Sequence, residues 1–164
     1  VADPEPASRM TVVLRDVTED DLPIFFEHQR HADSNRMAAV AARAHVAFFA
    51  HWEKVLADPA NMTRTVLVDG VVAGNVVSWD GEGERLVGYW IGSDFWGRGV
   101  ATAALARYLT LDTTRPLHAR VARHNVGSRR VLEKCGFGMI GEGTIPPETT
   151  GDAPIHEYLL SLER

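Results

Sequence analysis

Cysteine is almost missing from this chain. Cys135 is the single one among 164 residues, which excludes an internal disulfide framework and is compatible with a reducing compartment. Long apolar runs are missing too: no segment approaches the ~20 continuous apolar residues that a membrane-spanning helix needs. Nor is there an excess of positive charge. Seventeen Lys plus Arg against 22 Asp plus Glu give a formal net charge of −5, which argues against a general affinity for nucleic acid and mildly favours cationic partners. Internal repeats and low-complexity tracts are absent. The opening residues VADPEPASRM lack a basic-then-apolar leader pattern and read as a polar tail, with Pro4 and Pro6 opposing regular structure. What remains is an ordinary globular composition, 45% hydrophobic and 24% charged. The expectation is a soluble, cytoplasmic protein with a tail over residues 1–10 and one domain over 11–164.

Thr11 to Val17 reads as an opening strand. Thr18-Glu-Asp-Asp21 then offers an N-cap and acidic first turn to a helix from about Asp20 to His31. A second amphipathic helix is expected from Ala38 to Leu56, with Val46, Phe49 and Trp52 on its apolar side and Asp58-Pro59 ending it. Strands follow at Arg64 to Val68 and Val71 to Trp79, joined by the hairpin signal Asp69-Gly70. After a turn at Asp80 to Gly83, Arg85 to Ile91 completes a meander. The remaining elements are a helix from Gly99 to about Asp112, a strand at Leu117 to Ala122, and a helix capped by Asn125 that Gly136 terminates. A final strand pair, Phe137 to Glu142 and His156 to Leu162, brackets a loop over residues 143–154. The order implies an α+β domain: a mixed, mostly antiparallel sheet of about seven strands, with about four helices on its faces.

The segment ERLVGYWIGSDFWGRGVATAA, Glu84 to Ala104, carries the strongest functional signal. It passes from an apolar strand through a glycine-punctuated turn into an alanine-rich helix. Such a turn gathers backbone N–H groups that helix geometry leaves unpaired, and the helix dipole adds positive partial charge. Gly97 and Gly99 let the backbone approach an anion closely. A dinucleotide-binding domain places this turn after its first strand, whereas here it follows the fourth, so an NAD site is not expected.

The element order, together with GYWI, FWGRGVATAAL and ARHNVGSRRVLEKCGF, resembles the GNAT superfamily of acyl-CoA-dependent N-acyltransferases. Within it the branch typified by the ribosomal-protein N-terminal acetyltransferases is the most similar. The superfamily's pyrophosphate loop falls on Trp96, Gly97, Arg98, Gly99, Val100 and Ala101, with Trp96 standing where Gln or Arg is usual in the superfamily and where this branch commonly carries Trp. The branch's second signature falls on Asn125, Ser128 and Gly136-Phe137. The resemblance implies acetyl-CoA or another acyl-CoA as co-substrate, no metal, and a primary amine as acceptor, either a protein N-terminus or a small molecule. The charge balance and the missing apolar runs lead to no nucleic-acid and no membrane partner being expected, and the superfamily's pairing through exposed strands leaves a homodimer open.

The same resemblance distributes roles. Main-chain N–H groups from Trp96 to Ala101 would hold the pyrophosphate, with Arg98 adding charge. The fourth strand, Tyr89 to Gly92, would face the pantetheine arm and thioester, the Ile91 and Gly92 amides being the preferred donors to the carbonyl oxygen. Ser128 would protonate the leaving thiolate, and Asn125 would cap its helix and bind the pantetheine arm. Glu142 is the first candidate for the base, with Asp80, Glu82 and His124 behind it. His28, Asp33, Asn35, Arg36 and Trp52 belong to a helical region that would wall the acceptor groove. Tyr89 has core packing as its alternative and Trp90 reads more readily as core; Cys135, at a helix C-terminus where the dipole disfavours a thiolate, reads as core and not as an acyl-carrying nucleophile; and the histidine spacings do not favour a metal site. A catalytically silent acyl-CoA-binding module and a cofactor-free interaction domain are the alternatives.

Overall fold

The computed structural model describes residues 9–39 and 44–164. The predicted tail therefore falls mostly outside the described residues. Seven strands form one sheet in the order β1-β2-β3-β4-β5-β7-β6: β1 (Val12–Arg15), β2 (Met62–Val68), β3 (Val71–Gly81), β4 (Glu84–Ile91), β5 (Leu117–Ala122), β6 (Gly138–Ile145) and β7 (Ile155–Leu162). The expected α+β architecture is present. Every pairing is antiparallel except β4 with β5.

Side-chain alternation divides the sheet into two faces. One face carries α4 (Val100–Tyr108) and α5 (Val126–Lys134). Here Val100, Ala104, Leu105 and Tyr108 bury against Val66, Val76, Leu117 and Leu160 in the larger core. Each fully buried aliphatic side chain contributes roughly 1.5–3 kcal/mol. The helix expected to run to about Asp112 ends at Tyr108, and Leu111 beyond it is 45% exposed.

The opposite face carries α1 (Leu22–Arg30), α2 (Ala32–Ala38) and α3 (His45–Ala57). Its core is aromatic: Phe25, Phe48 and Trp52 with Leu22, and Phe26 and Phe49 packed around them. The single helix expected over Ala38 to Leu56 is thus corrected. Ala39 takes a left-handed conformation with φ 56° and closes α2, and α3 begins at His45. The buried stripe of α3 is Phe48 and Trp52, one turn apart, which leaves Val46 81% exposed. At the start of α1, a 3₁₀ turn over Glu19–Asp21 forms a reciprocal capping box with Thr18. Asp21 also accepts hydrogen bonds from Arg15 and Thr65. Burial alone would raise its carboxyl, but those bonds and the Thr18 amide outweigh it and hold Asp21 well below the usual carboxylate range. The loop expected over 143–154 is shorter than predicted, because β6 runs to Ile145 and a helical turn, α6 (Pro147–Thr150), follows.

The feature that builds the site is a failure of pairing. β4 and β5 are in register only at Arg85↔Leu117 and Leu86↔His118. Beyond these two pairs the strands part. The closed end is held by a buried polar cluster: Ser78 donates to Asp112 at 2.6 Å, Arg85 donates to Asp112 at 3.1 Å, and Tyr108 Oη lies 2.6 Å from Ser78 Oγ. That cluster joins β3, β4 and the end of α4.

Candidate active site

The parted strands open into a cleft of about 470 Å³ lined by β4, the glycine turn, the start of α4, and faces of α2 and α5. Gly97 and Gly99 have φ of +72° and +75°, and a Cβ at either position would meet no heavy atom within 4 Å. The turn therefore needs glycine for its backbone conformation and presents bare main chain to open space. Gly99 is the N-cap of α4, so the amides of the first helical turn have no intrahelical acceptor and point outward. This is a fitting cradle for a diphosphate.

Two details refine the expected loop. The Trp96 amide is already donated to the Ser93 carbonyl at 3.2 Å, so the free amides begin at Gly97. The Trp96 indole instead donates to the Ile91 carbonyl at 2.8 Å and buckles the loop onto the end of β4. Arg98 is exposed, with its guanidinium 5.6 Å from the centre of the Phe95 ring. The cations lining the cleft are Arg130 and Lys134, both on α5. Sequence reasoning passed over them, although they lie one turn apart beyond Ser128.

The amides of β4 can be sorted by the ladder. The Gly92 amide donates to the Ala73 carbonyl at 2.8 Å, and the register continues as Gly74↔Ile91 and Asn75↔Trp90. Antiparallel pairs alternate between facing and averted groups. Gly92 and Trp90 therefore turn their main-chain groups toward β3, while Ile91 and Tyr89 turn theirs toward the gap. The expected Gly92 donor is thus corrected: its hydrogen is already used. Ile91 keeps the geometry for that role, and Tyr89 shares it. Gly92 serves another purpose, since a Cβ there would lie 2.7 Å from the His28 ring.

Asn125 and Ser128 stand where α5 meets the gap. The Asn125 side chain accepts the Ser128 amide at 3.2 Å, which is the predicted cap. Ser128 Oγ lies 2.6 Å from the Tyr89 hydroxyl, which also reaches the Ser128 carbonyl at 3.1 Å. Burial pushes the Tyr89 phenol up to about 12, partly offset by the bond to Ser128. Tyr89, which the sequence left divided between core and site, is a half-buried member of a hydroxyl pair. A narrower slot of about 140 Å³ continues between the strands, lined by Gly88, Arg120 and Ala122 as well as Tyr89, Asn125 and Ser128. Those last three residues belong to both cavities, so the larger cleft and the slot meet at the hydroxyl pair.

Several predicted residues lie elsewhere. Glu142 is exposed on the edge strand β6, and β7 and β5 separate it from the gap. Asp80 and Glu82 sit at the β3–β4 turn, the closed end of the strand pair, where Arg85 binds Asp80 at 3.1 Å. His124 donates from Nε2 to the Arg36 carbonyl at 2.6 Å and so ties the β5–α5 turn to α2. Trp52 is buried in the aromatic core and lines neither the cleft nor the slot described above. The Asn35 side-chain N–H groups are donated to the carbonyls of Gln29 and His31, while its Oδ1 is buried without a partner. The Asp33 side chain lies outside the described residues. Cys135 donates to the Thr102 carbonyl at 3.7 Å, and burial pushes its thiol up. Among the described residues no group of three or more potential metal ligands stands together, and no helix is long and apolar enough to cross a membrane.

The comparisons with known proteins converge on this architecture. An acetyltransferase of the GNAT family from Bacillus anthracis superposes with a TM-score of 0.77 over 93% of this chain and 94% of that one, at 17% identity. RimJ of Mycobacterium smegmatis, solved with CoA-disulfide, gives 0.75 over 93% and 81%, at 22% identity. The spermidine N-acetyltransferase of Vibrio cholerae, solved with CoA and spermine, gives 0.74 over 93% and 95%, at 16% identity. No curated protein sequence matches the chain. The acetyltransferase (GNAT) domain family, by contrast, matches residues 11–138. With its match spanning the glycine loop, the parted strands and the Asn125–Ser128 cap, the chain belongs to the GNAT family of acyl-CoA-dependent acetyltransferases.

Proposed function

We propose that this protein moves an acetyl group from acetyl-CoA directly to a primary amine, within a ternary complex, on one domain spanning residues 11–164. The observation that carries the reading is continuity. A glycine cradle at Gly97 to Ala101 opens along the parted edge of β4 and ends at the Tyr89–Ser128 pair. The amides of Gly97 to Ala101 hold the diphosphate, and Arg130 and Lys134 supply the cations that Arg98 was expected to give. The pantetheine arm lies in the gap, bound by Asn125 and β4. The Ile91 and Tyr89 amides face the carbonyl oxygen, where a well-aimed donor is worth about 2–4 kcal/mol in the transition state.

As the amine nitrogen bonds to the carbonyl carbon and the carbon–sulfur bond breaks, the Ser128 hydroxyl donates to the departing sulfur, with Tyr89 behind it. A thiol near pKa ~8.5 leaves readily as thiolate, so this assistance is modest. Cys135 does not line the cleft and is occupied with Thr102, which supports transfer without an acyl-enzyme. The loop tryptophan, GYWI and the Asn125–Ser128 cap support placement beside the ribosomal-protein N-terminal acetyltransferases. In that branch the acceptor is a protein α-amine; small-molecule amines are the other class to test.

Calorimetry with CoA, followed by thiol release from acetyl-CoA with an amine panel, tests the proposal. Gly99→Glu places a charged side chain in the anion cradle at a left-handed position and is expected to weaken CoA binding by at least a hundredfold. Unchanged affinity in that variant overturns the loop assignment. CoA binding without thiol release under any acceptor identifies a silent binding module instead.

A further inference from the structure

Ser34 and Trp90 bring two buried polar atoms to the cleft, and the protein gives neither of them a partner. We propose that together they bind a carbonyl oxygen which the acceptor carries beside its attacking amine, so that the site reads an aminoacyl group and not a bare alkylamine; this rests on the acyl-transfer reading of the same cleft.

Both residues line the cleft from one side. Successive side chains of a strand point to opposite faces of a sheet. Tyr89 reaches Ser128 on α5, so its neighbour Trp90 lies on the face that α1, α2 and α3 cover. Ser34 belongs to α2, and Met37 and Ala38, three and four residues on, share its face and continue the same wall. Ala38 also lines the slot, so this wall reaches the gap where Tyr89 and Ser128 meet. The glycine turn, Asn125 and Ser128, which serve CoA, stand on the other side of the cleft. A molecule held by Ser34 and Trp90 therefore faces the thioester across the edge of β4, as an attacking amine must.

The chemistry of the two atoms selects what they bind. Ser34 is 3% exposed and its Oγ has no hydrogen-bond partner; Trp90 Nε1 is buried and equally unpaired. Buried polar groups are normally satisfied, because leaving one unmade costs stability. Two such atoms in one wall point to a group that arrives with the substrate. An indole N–H can only donate, so its partner must be an acceptor atom. The serine hydroxyl hydrogen rotates and can donate to the same atom. A carbonyl oxygen has two lone pairs and takes both bonds. An alkylammonium offers donors alone and leaves the indole unpaired. Charge points the same way: the charged residues lining the cleft and the slot, among those described, are Arg130, Lys134 and Arg120, all cations. A polyamine is repelled there.

The experiment measures kcat/KM at saturating acetyl-CoA for L-alaninamide and a seryl peptide, which carry the carbonyl, and for (S)-sec-butylamine and spermidine, which do not. Rates are expressed per free amine, so that differences in amine pKa drop out. Wild type is expected to favour the first pair by at least about 100-fold, because an acceptor without the oxygen leaves both buried groups unpaired. Ser34→Ala and Trp90→Phe should each cut that preference by about tenfold, with CoA affinity by calorimetry unchanged. Ser34→Ala should also melt no lower than wild type, since it deletes a buried group that has no partner in the free protein. Equal rates for the two pairs, turnover of spermidine alone, or a preference that survives both substitutions overturns the inference while leaving acyl transfer intact. A loss of CoA affinity in both variants overturns it too, by assigning the two atoms to the pantetheine arm. A lower melting temperature in Ser34→Ala shows a hydroxyl already bonded within the protein and removes Ser34 from the role. A wild type that releases no thiol with any of the four amines overturns both this inference and the reading it rests on.

Discussion

The two ends of the β4–β5 pair are built to opposite specifications. At the closed end the polar groups of the cluster are partnered: Ser78 and Arg85 donate to Asp112, and Tyr108 donates to the Met62 carbonyl at 2.8 Å. At the open end, His28 Nδ1, Ser34 Oγ and Trp90 Nε1 are buried without partners. Buried polar atoms normally find partners, because leaving one unpaired costs about 1–3 kcal/mol. The contrast separates scaffold from site along one pair of strands. The closed end fixes where the strands begin to part, and the open end keeps hydrogen-bonding capacity in reserve for molecules that enter. His118 stands at the boundary: it is paired in the sheet, its ring is turned to Glu84 at 3.6 Å, and its Nδ1 has no hydrogen-bond partner.

The largest effect expected from breaking this comparison lies at the closed end. Asp112→Ala leaves Arg85 and Ser78 facing an empty position, although Arg85 keeps Asp80. Removing one partner of a buried pair destabilises by about 3–5 kcal/mol, and the remaining Asp80 contact places this case near ~3. Thermal melts should show that loss with little change in CoA affinity once the protein is folded. The effect depends on pH in a definite direction. Burial favours the neutral Asp112 carboxyl, but bonds from Ser78, Thr114 and Arg85 outweigh it and hold its pKa below the usual value. Its stabilisation is therefore complete above the ordinary carboxylate pKa of ~3.9 and is lost as pH falls through the lowered one. The difference between variant and wild type should narrow below about pH 4. A gap that stays constant into acid would remove Asp112 from this role.

At the open end the expected effects reverse, with activity changing and stability holding. Ser128→Ala should lower kcat by roughly 10–100-fold, the range of a modest general acid, with CoA affinity within a few-fold. Tyr89→Phe removes the hydroxyl behind Ser128 and should cost less, because Ser128 retains its own proton. Rates measured under saturating acetyl-CoA check both. If Tyr89→Phe costs more than Ser128→Ala, the order of the pair along the proton path is inverted.

Legibility followed the same division. Elements set by local chemistry were readable. Leu117 to Ala122 matched its strand because Arg115-Pro116 and Asn125 bracket it, and Asn125 and Gly136 marked both ends of α5. The glycine turn ahead of α4 was readable because Gly97 and Gly99 punctuate the passage from strand to helix. What depends on pairing between distant strands was not. Gly92 was expected to donate to the thioester, but only the register against Ala73 shows that its hydrogen is spent. Glu142 failed as a base for a similar reason, since sequence order conceals that β7 inserts between β5 and β6. Ser34 passed unremarked because nothing in HADSNRM distinguishes an exposed helix serine from one that lines a cleft.

The smallest predicted effect tests whether the loop and the strand end act as one piece. Trp96→Phe keeps an aromatic ring and removes the indole N–H that donates to the Ile91 carbonyl at 2.8 Å. A neutral hydrogen bond of this kind contributes about 1 kcal/mol net, and Trp96 is 42% exposed, so the global melt should move little. The loss should surface in binding, because the unanchored loop must be ordered by CoA itself, and an equivalent cost of about 1 kcal/mol corresponds to roughly a fivefold weaker Kd. Freeing the Ile91 carbonyl works the other way, since it gains an acceptor that a pantetheine amide can use. The sign of the net change therefore reports which matters more at this corner. A weaker Kd assigns Trp96 to holding the loop in place. A tighter one means that the native indole competes with the cofactor arm, and the corner then belongs with the satisfied, closed end of the strands.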